Sequence, residues 1–131
     1  MSSPGELRRW DLVLLDLEPG DGSEQGGKRP ALVISNDGFN RSFPLVTVLP
    51  LTGLAGKHRR VYSFEVVLPE RAAGNPAESI LMPHQIRTVS RSRVDRRLGV
   101  LRDPERGEEI EARLLDHLGI AFPSEPWEEH E

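Results

Sequence analysis

Residues 22–35 read Gly-Ser-Glu-Gln-Gly-Gly-Lys-Arg-Pro-Ala-Leu-Val-Ile-Ser, and the fold turns on whether Pro30 to Ser35 opens a helix or forms a strand. Residues 22–29 fit the phosphate-cradling pattern G-x-x-x-x-G-K-[ST] at every position but the last. Such a loop needs a hydroxyl after the lysine to meet Mg²⁺, and a helix whose N-terminal amides face the phosphates. Position 29 is arginine, and the segment after it is short, rich in branched side chains and stopped by Asn36-Asp37-Gly38. It reads as a strand ending in a turn, which excludes a nucleotide-binding loop. A second partial match, Thr52 to Lys57, has two residues between its glycines where the pattern requires four.

Working outward, Trp10 to Leu17 is an apolar run that reads as a mostly buried strand, and residues 18–28 as a polar, glycine-rich loop. Further strands are expected at Pro44–Leu51, Val61–Leu68 and Ser79–Met82, with a sixth at Arg97–Leu101. Thr52 to Arg60 reads as loop, and FNRSF (39–43) as an irregular or helical piece. On this reading Trp10, Tyr62 and Phe64 belong to the core; Phe39 and Phe43 are better placed to stack on bases, but partial burial is the expected fate of both, so the sequence gives little support to base stacking. Asp103 is a helix N-cap followed by Pro104 at the first helical position, and glutamates crowd the first turns where the helix dipole favours them. Ile110, Leu114, Leu115 and Leu118 share one face, and Gly119 is a natural stop. Short strands, many turns and one terminal amphipathic helix predict a mainly β fold with α, a small β-barrel with helical decoration.

The 131 residues suit one domain, and 37% hydrophobic with 29% charged residues describes a globular chain. No apolar run approaches a membrane span, and the start MSSPGELRRW lacks an apolar secretory stretch. The absence of cysteine removes disulfides, thiolate metal sites and cysteine nucleophiles, and suits a cytoplasmic location. The net charge of −4 is unevenly spread: residues 105–131 carry nine acidic side chains against two basic ones, whereas residues 85–102 hold six arginines and one aspartate. The arginine segment hints at a polyanionic partner such as nucleic acid, or is simply a solvated surface.

The chain resembles the MazF/PemK family of toxin–antitoxin endoribonucleases. The residues that carry the resemblance are Arg9-x-Asp11, Gly22-Ser-Glu-Gln-Gly-Gly-x-Arg-Pro-x-Leu-Val-Ile34, Ser35-Asn36-Asp37, Pro50-Leu-Thr52 and Gln85-Ile-Arg-Thr88. They imply an SH3-like barrel of five to seven strands with short helices over residues 1–120; the acidic tail at 121–131, read as mobile from its own sequence, has no counterpart in the family. They also imply a homodimer, a cognate antitoxin partner, no cofactor and no metal. The implied activity is sequence-specific cleavage of single-stranded RNA (mRNA) through its own 2′-hydroxyl, giving 2′,3′-cyclic phosphate and 5′-hydroxyl ends. Alternatives on the same barrel are a gyrase-poisoning toxin of the CcdB type, or a catalytically weak RNA-binding module. Three positions depart from the family pattern: Trp10 where glycine is common, His84 in place of an acidic residue, and Ser90 in place of an aspartate. Antitoxins of the family lay an acidic segment across the RNA groove, and the tail SEPWEEHE, anchored by Trp127, could occupy that place.

The candidate catalytic residues are Arg29, Thr52 and Glu24. Arg29 follows the loop and opens a strand, so its fork can be aimed at a phosphate, though without the motif it would read as an ordinary surface arginine. A guanidinium pKa above about 12 argues first for stabilising the transition state and second for protonating the leaving oxygen. The family pairs Thr52 with this arginine; on residues alone its hydroxyl serves equally to cap the turn before Gly53. Glu24 is the obvious carboxylate for a base. Ser23, Gln25, Lys28, Asn36 and Gln85 are expected to contact RNA, and Arg87 to hold a phosphate or a structural ion pair.

Overall fold

A computed structural model describes residues 5–17, 27–54 and 59–121. Among the described residues seven strands are present: β1 (Asp11–Leu17), β2 (Gly27–Val33), β3 (Leu45–Gly53), β4 (Val66–Leu68), β5 (Ser79–Leu81), β6 (Arg87–Ser90) and β7 (Val94–Val100). A short helix α1 (Asp37–Ser42) follows β2, and α2 (Pro104–Leu118) closes the chain's described part. All pairings are antiparallel, in the order β4-β5-β3-β2-β1-β7, with β6 also paired to β3. None of the described helices is long and apolar enough to cross a membrane.

Strand period places alternate side chains on opposite faces, and here both faces are covered. Val13 and Leu15 of β1, Ala31 and Val33 of β2, Val46 and Val48 of β3, Val89 of β6 and Val94 of β7 bury together inside the curl of the sheet. β6 and β7 feed one core through a single 3₁₀ turn, Arg91–Arg93, which gives the strands a barrel-like wrap. Two register shifts in the β1–β7 ladder add local twist to that wrap. Leu12, Leu32, Leu49 and Leu51 face outward into a second core with Val66, Leu68 and Leu81, which α2 seals with Ile110. The expected fold with helical decoration therefore forms as a barrel-like curl of a sheet that is not closed.

Helix α2 forms as its sequence predicts. The Asp103 carboxylate accepts from the Glu105 amide at 3.0 Å, and Gly119 takes the left-handed conformation (φ 74°) that ends the helix. Where Gly74 meets Gly99, the backbones touch: a Cβ on Gly99 would lie 2.4 Å from the Ala73 carbonyl oxygen. That approach admits only glycine.

Other expectations need correction. The strand expected over 61–68 survives only as β4, and Tyr62 and Phe64 are 45% and 40% exposed instead of core. The cause is Glu65, buried at 6% exposure: its carboxylate takes the Tyr62 amide and both ends of the Arg59 guanidinium, which closes a turn ahead of the strand. β6 went unexpected because Arg87, Thr88 and Ser90 leave a single buried apolar residue, Val89. β7 begins at Val94, three residues earlier than expected, and Thr52 and Gly53 extend β3 into the expected loop. Trp10 is half-buried at the rim of the second core, its indole over Gly107. The tail is outside the described residues from Phe122 onward.

Candidate functional site

The β2–β3 ladder pairs Ala31 with Pro50, Leu32 with Leu49 and Val33 with Val48. Ile34 donates its amide to the Thr47 carbonyl, so residues 34, 32 and 30 are the ones that exchange hydrogen bonds with β3. Residue 30 is proline and has no N–H to give, so the ladder stops at this point. Continued in step by two residues, the register sets Arg29 opposite Thr52 just beyond the last hydrogen bonds. Arg29 shares the face of Ala31 and Val33, and Thr52 the face of Val46 and Val48, so both lie at the rim of the inner core. Beyond this point β2 stays paired with β1 and β3 goes on to pair with β5, so both residues stand past the end of the β2–β3 ladder, a place termed the Arg29–Thr52 opening.

Arg29 is half-buried, beside Leu15 of β1, and no carboxylate among the described residues pairs with it. Its charge is thus available to an anion. Lys28 points to the other face and is tied to Asp95 at 3.3 Å, which removes it from the Arg29–Thr52 opening. Gln85 ends the 3₁₀ turn Pro83–Gln85, and Met82 ahead of that turn donates to the Pro50 carbonyl, two residues before Thr52. Its exposed amide is thereby held along the same edge of β3. Arg87 lies opposite Val48 on the Thr52 face, exposed and without a carboxylate in ion-pair range among the described residues.

Asn36 is placed elsewhere. Its Oδ1 caps α1 by accepting from the Phe39 amide at 2.8 Å, at the far end of β2 and on the order of 20 Å from Arg29. It borders a separate cavity of about 410 Å³ with Phe39, Thr47, Ile86 and Leu114. Ser23, Glu24 and Gln25 lie outside the described residues.

Asp11 of the Arg9-x-Asp11 motif is a structural residue. Buried at 3% exposure, it accepts from the Arg8 amide at 2.8 Å and from Arg97 Nε at 3.1 Å. Two of the departures also acquire reasons. Trp10 has φ of 80°, the left-handed region where glycine is the unstrained choice. Ser90 caps the following 3₁₀ turn by accepting from the Ser92 amide at 3.2 Å, a service an aspartate performs equally well. His84 instead presents an edge to Phe64, with ring centroids 4.7 Å apart.

The exposed Tyr62–Phe64 pair is the feature the sequence reading missed. A signal was present: two aromatics at i and i+2 share one side of an extended segment, directly after Arg59-Arg60 and before a lone glutamate. A carboxylate next to two arginines in an apolar run marks a buried ion pair and a turn more than a continuous strand.

A family model described as PemK-like, MazF-like toxin of type II toxin-antitoxin system matches residues 8–118. The curated protein Endoribonuclease MazF of Staphylococcus saprophyticus is 35% identical over 114 residues, covering 87% of this chain and 92% of that protein. Among solved structures, a MazF from Deinococcus radiodurans is similar with TM-score 0.68 and 30% identity, over 87% of this chain and 97% of that one. A MazE–MazF structure from the same organism matches with TM-score 0.70 and 28% identity, over 88% of this chain and 99% of that one.

Proposed function

Since this chain belongs to the PemK-like, MazF-like toxins of type II toxin–antitoxin systems, we propose that it is an endoribonuclease cutting single-stranded RNA through the RNA's own 2′-hydroxyl. What supports this reading is the β2–β3 register, which, continued past Pro30, sets Arg29 and Thr52 across from each other on one face. In the reaction the 2′-oxygen loses its proton and attacks the adjacent phosphorus in line. The bond to the 5′-oxygen breaks, and that oxygen takes up a proton, leaving a 2′,3′-cyclic phosphate and a 5′-hydroxyl. The phosphorane gathers negative charge on its non-bridging oxygens. A guanidinium that no carboxylate among the described residues pairs with, and a hydroxyl in register with it, are the donors such charge requires. Glu24 is the proposed base, carried by the segment that leads into β2, and the reaction so described needs no metal. Gln85 supplies base-edge contacts along β3, and Arg87 a phosphate contact.

Relatives named MazF are solved with MazE, and a cognate antitoxin is the proposed protein partner, with the toxin acting as a homodimer. The test is incubation with a long single-stranded RNA in EDTA, followed by end-group analysis. The expected products carry 5′-hydroxyl ends, with kcat reduced about 10²- to 10³-fold in Arg29→Ala and less in Thr52→Val. Intact RNA at high enzyme concentration, or 5′-phosphate products, would sink the reading.

A further inference from the structure

The geometry points to Tyr62, backed by Phe64 and covered by Arg60, as a stacking platform for an unpaired base of the bound RNA. This rests on the endoribonuclease reading and adds a subsite to it. The Tyr62 and Phe64 rings are parallel to within 1°, with centroids 5.3 Å apart, and both are largely exposed. Phe64 in turn is braced by the edge of His84, so the stack is fixed from behind. Exposed parallel aromatics that are not buried against the chain's own core form a ready surface for another π-face.

The cations beside the stack favour nucleic acid over an apolar protein segment. Arg59 lies 6.0 Å from the Tyr62 centroid, but its guanidinium is locked on Glu65 by bonds of 2.8 and 3.0 Å. Arg60 lies 5.3 Å from the centroid, is exposed, and pairs with no carboxylate among the described residues. It can therefore swing off the ring to let a base in, and then meet that nucleotide's phosphate. An aromatic face flanked by a free guanidinium matches the two parts of a nucleotide.

The platform adjoins one residue already expected to contact RNA. Gln85 Nε2 lies 3.5 Å from Nε2 of the same His84 whose ring packs against Phe64, so the stack and Gln85 are neighbours through His84.

The experiment measures binding of a single-stranded RNA carrying 2′-deoxyribose at the cleaved nucleotide, alongside cleavage of the unmodified RNA. Tyr62→Leu keeps apolar bulk and loses the ring. It is expected to raise Kd and lower kcat/KM by about 10-fold, with kcat at saturation and the unfolding midpoint unchanged. Tyr62→Trp is expected to restore binding, and its indole emission to be quenched further by RNA than that of the wild type. Wild-type Kd in Tyr62→Leu, with cleavage intact, overturns the platform and leaves the patch as a contact for a protein partner. A wild-type protein that neither binds nor cuts single-stranded RNA removes the endoribonuclease reading, and the platform with it.

Discussion

Two arginines sit on the strands that flank β1, and they have opposite situations. Arg97 of β7 lies near Val13 and is fully engaged: Nε bonds Asp11 at 3.1 Å and Nη2 bonds the Glu6 carbonyl at 2.6 Å. Arg29 of β2 lies opposite Leu15 and pairs with no carboxylate among the described residues. Chemically the two side chains are identical. What separates them is the carboxylate: Asp11 neutralises one and fastens the N-terminal turn, whereas among the described residues the other has no such partner, and on the proposed reading it meets the RNA phosphate. An arginine held half-buried without a counter-charge is a cost in stability that a bound anion offsets. Structural and catalytic roles can thus be told apart by who supplies the negative partner.

The sharpest way to break this comparison is to keep both charges and change their shape. Arg29→Lys retains a cation but loses the planar fork that can grip two phosphate oxygens. Its kcat on RNA is expected to fall about 100-fold, with the unfolding midpoint unchanged or raised. Arg97→Lys is expected to leave kcat within about twofold, because the strand it secures is not part of the opening. Equal losses in the two variants, measured in single-turnover cleavage, would show that Arg29 also acts only through the fold.

Removing the neutralising carboxylate comes next in size. Asp11→Ala deprives the Arg8 amide and Arg97 Nε of their shared acceptor in a buried position. The expected loss is about 2 kcal/mol, seen as a midpoint about 10 °C lower in thermal unfolding, with kcat per folded molecule retained. A collapse in kcat without loss of stability would move Asp11 from the structural to the catalytic side.

These cases show what the sequence makes legible. Pro30 and the turn after Ile34 identify β2 as a strand, and Asp103, Pro104 and Gly119 mark α2 to the residue, because caps and prolines act through their immediate neighbours. Arg29 and Thr52 were found as parts of a motif; their convergence depends on β2–β3 register, which local periodicity does not encode. Tyr62 and Phe64 were misplaced because hydrophobic alternation carries no information about a buried acid one residue further on. Asp11 looked like a motif carboxylate, and only the location of Arg97, far along the chain, reveals its work.

Glu65 offers a smaller test based on pH. The Arg59 guanidinium holds its carboxyl below the usual carboxylate range, against the opposing pull of burial, and the Tyr62 amide adds to the lowering. Because the folded-state value is below the unfolded one, its stabilisation is complete above about pH 4.3 and fades as pH falls through the lowered value. Glu65→Gln is expected to unfold about 5 °C below the wild type at pH 7, with the gap narrowing below about pH 4. A gap that persists unchanged into acid would mean that shape, not charge, closes the Tyr62 turn. Because that turn carries the proposed platform, the same variant is expected to weaken RNA binding at pH 7.

The smallest effect is expected at Ser90. Its hydroxyl accepts from the Ser92 amide and lies 2.8 Å from the Ser92 hydroxyl, so it performs an N-cap's task on the turn between β6 and β7. Aspartate and serine are near-equal caps, so Ser90→Asp is expected to change stability by no more than about 0.5 kcal/mol. The exchange places a negative charge beside Arg91 and Arg93, which lie on the approach to β7 and not at the Arg29 opening. If the charge at the Arg29 opening is what the reaction uses, kcat in Ser90→Asp stays at the wild-type value even at low salt. A rate that falls with Ser90→Asp and recovers as salt screens the new charge would extend the anion-binding surface from Arg29 around to the β6–β7 turn.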